Sequence, residues 1–111
     1  MSNSERRKTP RFRIEQMVEV SFNREEFIAA EGIDLSLTGL QCETATELQT
    51  GDEMFLMLGL GKESIGCEGI VMHVRKIASR FRIGIEFTGM TEESTSTLKA
   101  FLKNLKTPAG S

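Results

Sequence analysis

From Phe12 onward apolar residues recur mostly at every second position, and near the C-terminus the spacing lengthens to that of a helix. Val18, Val20 and Phe22 alternate with Glu19 and Ser21, the period-two pattern of a strand with one buried face. A second run, Phe27 to Leu35, ends with Ile33 and Leu35 alternating against Asp34 and Ser36. Thr38-Gly39 then supplies a turn and Leu40 to Glu43 resumes, which predicts a hairpin. Because side chains alternate across a strand, Asp34 and Ser36 are expected on the face opposite Ile33 and Leu35, pointing outward if the aliphatic pair lies inside. Gly51-Asp52 marks the next turn. Met54 to Leu60 is nearly continuous in apolar residues, predicting a strand covered on both faces and closed by Gly59 and Gly61. Ile65 to Lys76 follows, with Gly66 and Gly69 as expected points of bulging or bending. Last of the strands is Arg80 to Phe87, in which Phe81, Ile83, Ile85 and Phe87 alternate.

Leu98, Phe101, Leu102 and Leu105 fall at helical spacing, with Thr91 or Ser94 available as a cap and Pro108 beyond the end. Short strands without intervening helices, followed by one terminal helix, predict an all-β fold: a small six-stranded antiparallel barrel with a single C-terminal α-helix. The expected organisation is a basic N-terminal arm over 1–11, a barrel with its helix (about 91–106) over 12–106, and a tail over 107–111. The arm has no hydrophobic period to order it, so it is expected to be mobile when nothing is bound.

A chain of 111 residues with 39% hydrophobic content supports one core and one domain. No segment has the apolar length of a membrane span, and the polar, basic start is unlike a signal peptide, so the expected location is the cytoplasm without membrane insertion. Cys42 and Cys67 have no partners at metal-ligand spacing, which predicts two reduced, buried thiols and no metal site. The formal charge of -2 conceals an asymmetry. Residues 1 to 13 hold five basic residues against Glu5, whereas the remainder holds nine basic against fifteen acidic ones. An anion is therefore expected to meet the arm first, and nucleic acid is disfavoured because the acidic body offers no second basic stripe.

Two motifs carry the chemistry: Arg7-Lys8-Thr9-Pro10-Arg11 before the first strand and Asp34-Leu35-Ser36-Leu37-Thr38-Gly39 at the end of the second. In this order and separation they resemble the PilZ family pattern of Arg-x-x-x-Arg followed by Asp/Asn-x-Ser-x-x-Gly. The second motif is the sharper one, since it starts by chance at on the order of one position in two thousand. Gly69 to Arg75 and Arg82-Ile83-Gly84-Ile85-Glu86-Phe87 extend the likeness over nearly the whole chain. The resemblance implies a receptor for cyclic di-GMP with Arg7 and Arg11 clamping base and phosphate and Arg6 as an added contact. Members with an arginine directly before the first motif tend to take an intercalated ligand dimer, so Arg6 implies two ligands per domain. His73 falls where many members carry an aromatic residue that stacks on a guanine, and its parity with Val71 and Arg75 is expected to turn it toward the ligand.

The residue chemistry agrees with that ligand. An arginine fork matches guanine O6 and N7, and a second guanidinium can stack or pair with phosphate. Asp34 can accept from guanine N1-H and N2-H, donors that adenine lacks at these positions. Ser36 is expected to share the base or a sugar-phosphate oxygen, and Gly39 to permit positive φ and a close ligand approach. Asp34 and Ser36 are equally residue types that cap their own turn. No catalytic role is expected: there is no nucleophile elbow, and Asp34 and Ser36 are too close in one strand to flank His73 as a relay. The alternatives are a PilZ-like protein-interaction adaptor that binds no nucleotide and a barrel for single-stranded nucleic acid, the latter poorly served by a chain without Tyr or Trp. With no output domain read in the chain, the downstream partner is expected to be another protein, in motility, exopolysaccharide or virulence control.

Overall fold

The computed structural model describes residues 11–14 and 17–105. Its strands are β1 (Phe12–Arg13), β2 (Met17–Ser21), β3 (Ile28–Leu35), β4 (Gly39–Thr44), β5 (Glu53–Leu60), β6 (Glu63–Ile77) and β7 (Arg80–Gly89), followed by helix α1 (Glu92–Lys103). Neighbouring strands run in the order β3-β2-β5-β6-β7-β4, all antiparallel, and β4 pairs back onto β3. The sheet is thus a closed six-stranded barrel, which leaves no free edge. The two-residue β1 adds to β3 beyond the stretch that β2 occupies, with Phe12 opposite Leu35 and Arg13 opposite Asp34.

Alternation fills the interior. Val18, Val20, Leu40, Leu56, Leu58, Ile83 and Ile85 are buried together, and α1 lies against β6 and adds Leu98 and Leu102 to the same core. Thr91, not Ser94, is the N-cap: its hydroxyl accepts from the Ser94 N–H at 3.0 Å, and Glu92 and Glu93 complement the helix dipole in the first turn. Cys42 and Cys67 are free and buried, and burial pushes both thiols up to about 12, so they are protonated and inert at neutral pH.

Three expectations about faces are corrected. Met54 to Leu60 is not covered on both sides, because Phe55, Met57 and Gly59 on the outer face are only half-buried while Met54, Leu56, Leu58 and Leu60 face the core. The β2 alternation stops at Ser21, which is buried because its hydroxyl accepts from the Asn23 and Arg24 N–H groups. The chain turns there, and Phe22 is left 59% exposed. Gly66 pairs regularly with Met57, while the irregularities of β6 fall next to Gly69 and at Met72.

No helix among the described residues is long and apolar enough to cross a membrane. No group of three or more metal-ligating side chains gathers among them either.

Candidate functional site

A bulge in β3 builds the site. Pairing with β4 shifts between Gly32 and Asp34, so Ile33 drops out of register and Asp34 sits opposite Gln41 and beside β1. The expected outward pair is therefore corrected: Asp34, Leu35 and Ser36 are all buried, because the bulge resets the alternation before the turn. Asp34 keeps 12% of its side chain exposed beneath Arg11, which is 39% exposed. Arg11 Nε and Nη2 donate to Asp34 Oδ1 at 2.9 and 2.6 Å. Residues that lie 23 apart in sequence, one from each motif, thus form one ion pair.

Ser36 is wholly buried and its hydroxyl serves the turn. It accepts from the Thr38 N–H at 3.1 Å and the Gly39 N–H at 3.2 Å, and lies 3.3 Å from both the Gly39 carbonyl and Thr38 Oγ1. This is the capping role open to a serine at that position. Gly39 does not adopt positive φ; among the described glycines Gly51 and Gly61 do. Gly39 is required instead by contact, since a Cβ there would run into the backbone carbonyl of Ile85 on β7.

His73 reaches the same groove by a route that the sequence misses. Pairing of β6 with β7 slips between Val71 and His73, leaving Met72 bulged and 50% exposed. Val71 therefore points into the core and His73 out of it, so the expected shared parity is wrong, although His73 does face the groove. Its imidazole covers Gly84, where a Cβ would run into Nε2, Cε1 and Cδ2 of the ring. Arg75 is exposed, and Arg80 is held at β3 and β4 by Glu43 (3.7 Å) and Glu31 (3.9 Å). Arg82 binds Glu43 through Nε and Nη2 at 3.1 and 2.7 Å.

The groove has a volume of about 430 Å³ and is lined by Arg11, Thr38, Gln41, Met72, His73 and Glu86, with Gly39 and Gly84 in its floor. Thr38, Gln41, Met72 and Glu86 were not anticipated. Gln41 follows from the hairpin register once the β3 bulge is known, whereas Met72 has no signal in the apolar pattern. Arg6 and Arg7 lie outside the described residues. Among the described residues the charges of the groove are Arg11, already paired with Asp34, and the exposed carboxylate of Glu86.

The PilZ domain family model matches residues 5–104. The chain belongs to the PilZ family. Solved structures with the same fold include the PilZ domain of Escherichia coli YcgR with c-di-GMP, at 17% identity and a TM-score of 0.74, covering 90% of this chain and 91% of that one. The Bacillus subtilis inhibitor of motility MotI/DgrA aligns at 18% identity and a TM-score of 0.75, covering 88% of this chain and 50% of its own. A K. pneumonia MrkH–c-di-GMP complex aligns at 19% identity and a TM-score of 0.72, covering 87% and 51%. The chain thus spans about half the length of MotI and MrkH. No curated protein sequence matches the chain. PilZ domains are ligand-binding and regulatory rather than catalytic, and structures of two neighbours hold c-di-GMP.

Proposed function

We propose that this PilZ domain is a cyclic di-GMP receptor that works by recruiting its N-terminal arginines onto the groove. The observation that carries the reading is the Arg11–Asp34 ion pair, in which the two family motifs meet at the rim of a groove bearing His73. Arg11 holds both its bonds on Oδ1 of Asp34, so the carboxylate keeps acceptor capacity on Oδ2 for guanine N1-H and N2-H. His73, packed on Gly84, brings an aromatic ring to the groove that Gln41 and Thr38 also line. Ser36 contributes by fixing the turn, and Gly39 by letting β4 lie against β7.

Arg6 and Arg7 supply the positive charge that the groove lacks and bind phosphate and the O6/N7 edge of guanine. Arg6 brings in a second, intercalated ligand molecule. The free energy of switching is the ligand's preference for the state with the arm on the barrel, and the new surface is read by a downstream protein. No cofactor and no metal takes part, and the domain binds rather than catalyses.

Calorimetric titration with cyclic di-GMP tests this directly. Saturable binding is expected, with a stoichiometry near two and at least about a hundredfold preference over cyclic di-AMP. Arg7→Ala and Asp34→Ala are each expected to weaken it by about tenfold or more, equivalent to about 1.4 kcal/mol. Absence of heat and of any ligand-induced thermal shift would sink the receptor reading and leave the nucleotide-free adaptor.

A further inference from the structure

The outer wall built on β2, β5 and the first half of β6 carries none of the groove's lining residues and has its own organisation. Phe27 packs edge-on against Phe55, with ring centroids 6.4 Å apart, and the Phe55 ring and the Met57 sulfur lie across Gly66, which has no side chain to block them. Phe22 stands beside them, 59% exposed, and Phe27 is 38% exposed. Together with Phe55 and Arg24, Phe22 lines a groove of about 320 Å³. Exposed phenylalanine is an unusual surface residue, and a cluster of aromatic side chains with half-covered faces is the composition of an interface core.

The loop that presents Phe22 is fixed in place. Ser21 Oγ accepts from the Asn23 and Arg24 N–H groups, and Asn23 Oδ1 accepts from those of Glu25 and Glu26. Arg24 is held at φ 66, a strained conformation for a residue with a Cβ, and its guanidinium lies 4.1 Å from the centre of Phe55 while bonding Glu68 at 2.8 Å. Strain kept in a surface loop to hold a cation on an aromatic ring pre-organises the wall rather than adding to the core.

Charge identifies the occupant. Glu19 lies opposite Met57, Glu53 and Glu68 line the groove, and the exposed Glu25 and Glu26 stand in the loop between Arg24 and Phe27; Arg24, the basic residue among them, is already paired with Glu68. Such a set of carboxylates repels nucleic acid and anionic membrane and attracts cations. We infer that this wall docks a basic segment of a partner protein, with lysine or arginine on the glutamates and an aliphatic or aromatic side chain against Phe22, Phe27 and Phe55. The wall does this whether or not the groove binds nucleotide.

Selection of a phage-displayed random peptide library on the intact chain, with each enriched peptide then synthesised and titrated, tests the inference. The consensus is expected to carry two or more Lys or Arg beside Leu, Ile or Phe. Binding is expected to weaken about tenfold in Phe22→Ala/Phe27→Ala and severalfold in Glu25→Gln/Glu26→Gln, with reduced salt dependence in the latter. The glutamates lie on an exposed loop, so the second variant retains the fold and decides the matter if the first does not. Failure to enrich, an acidic or neutral consensus, or wild-type affinity in both variants would overturn the inference. So would self-association of the wild-type chain that the phenylalanine variant abolishes, since that would assign the wall to a second copy.

Discussion

Gly39 and Gly84 lie in the floor of the same groove and are glycines for different reasons. A Cβ on Gly39 would meet the Ile85 carbonyl, part of a paired strand that cannot yield, whereas on Gly84 it would meet the imidazole of His73, an exposed side chain that can swing away. Gly39→Ala is therefore expected to destabilise the domain by about 1–3 kcal/mol, as overpacking does. Gly84→Ala is expected to change stability by less than about 1 kcal/mol while displacing His73 from the groove. Urea denaturation of the two variants checks the contrast, and equal losses would contradict it. Much of the candidate groove was legible at this scale: Arg11, Gly39 and His73 line it and Asp34 is bonded to Arg11 at its rim, with Arg11 and His73 singled out by the family resemblance rather than by spacing alone. The burial of Ser36 and the opposite facing of Val71 and His73 were not. They depend on bulges at Ile33 and Met72, and a bulge inserts a residue without altering the composition that a period-two reading counts.

At the level of elements, the β6–β7 hairpin positions the far side of the groove, since it carries His73, Gly84 and Glu86. Its turn holds Ala78 at φ 57, in the left-handed region that suits glycine or asparagine. Ala78→Gly relieves that strain and, against the greater freedom it gives the unfolded chain, is expected to raise stability by about 0.5 kcal/mol. A rise in melting temperature with unchanged ligand affinity is the expected readout; a fall would mean that the turn gains something from the Ala78 side chain. The strands and helix were readable because each has one face in the core, and alternation reports that face. The run Met54 to Leu60 misled because Phe55 and Met57 are apolar on an outer wall, and an outward phenylalanine looks the same in sequence as an inward one.

The two candidate surfaces stand on separate walls of the molecule. One carries the motif groove at the meeting of β3, β4, β6 and β7; another carries the aromatic wall with its glutamates on β2 and β5. Closure of the barrel makes this separation possible, since each of β2 to β7 is paired on both sides and both walls stand on one core. The described groove holds one ion pair and the carboxylate of Glu86, so the proposed binding of a dianionic ligand rests on positive charge from Arg6 and Arg7, which lie outside the described residues.

Cyclic di-GMP is proposed to bind where Arg11 meets Asp34. The most direct test is a titration of the 15N-labelled chain followed by NMR at the Arg11 Nε–H and at the backbone amides. Binding there is expected to give saturable shifts at Arg11 Nε, Thr38, Gly39, His73 and Gly84, with Gly61 and the β2–β5 wall unmoved. Shifts confined to the wall around Phe22 and Phe55, or none at all at saturating ligand, would contradict it.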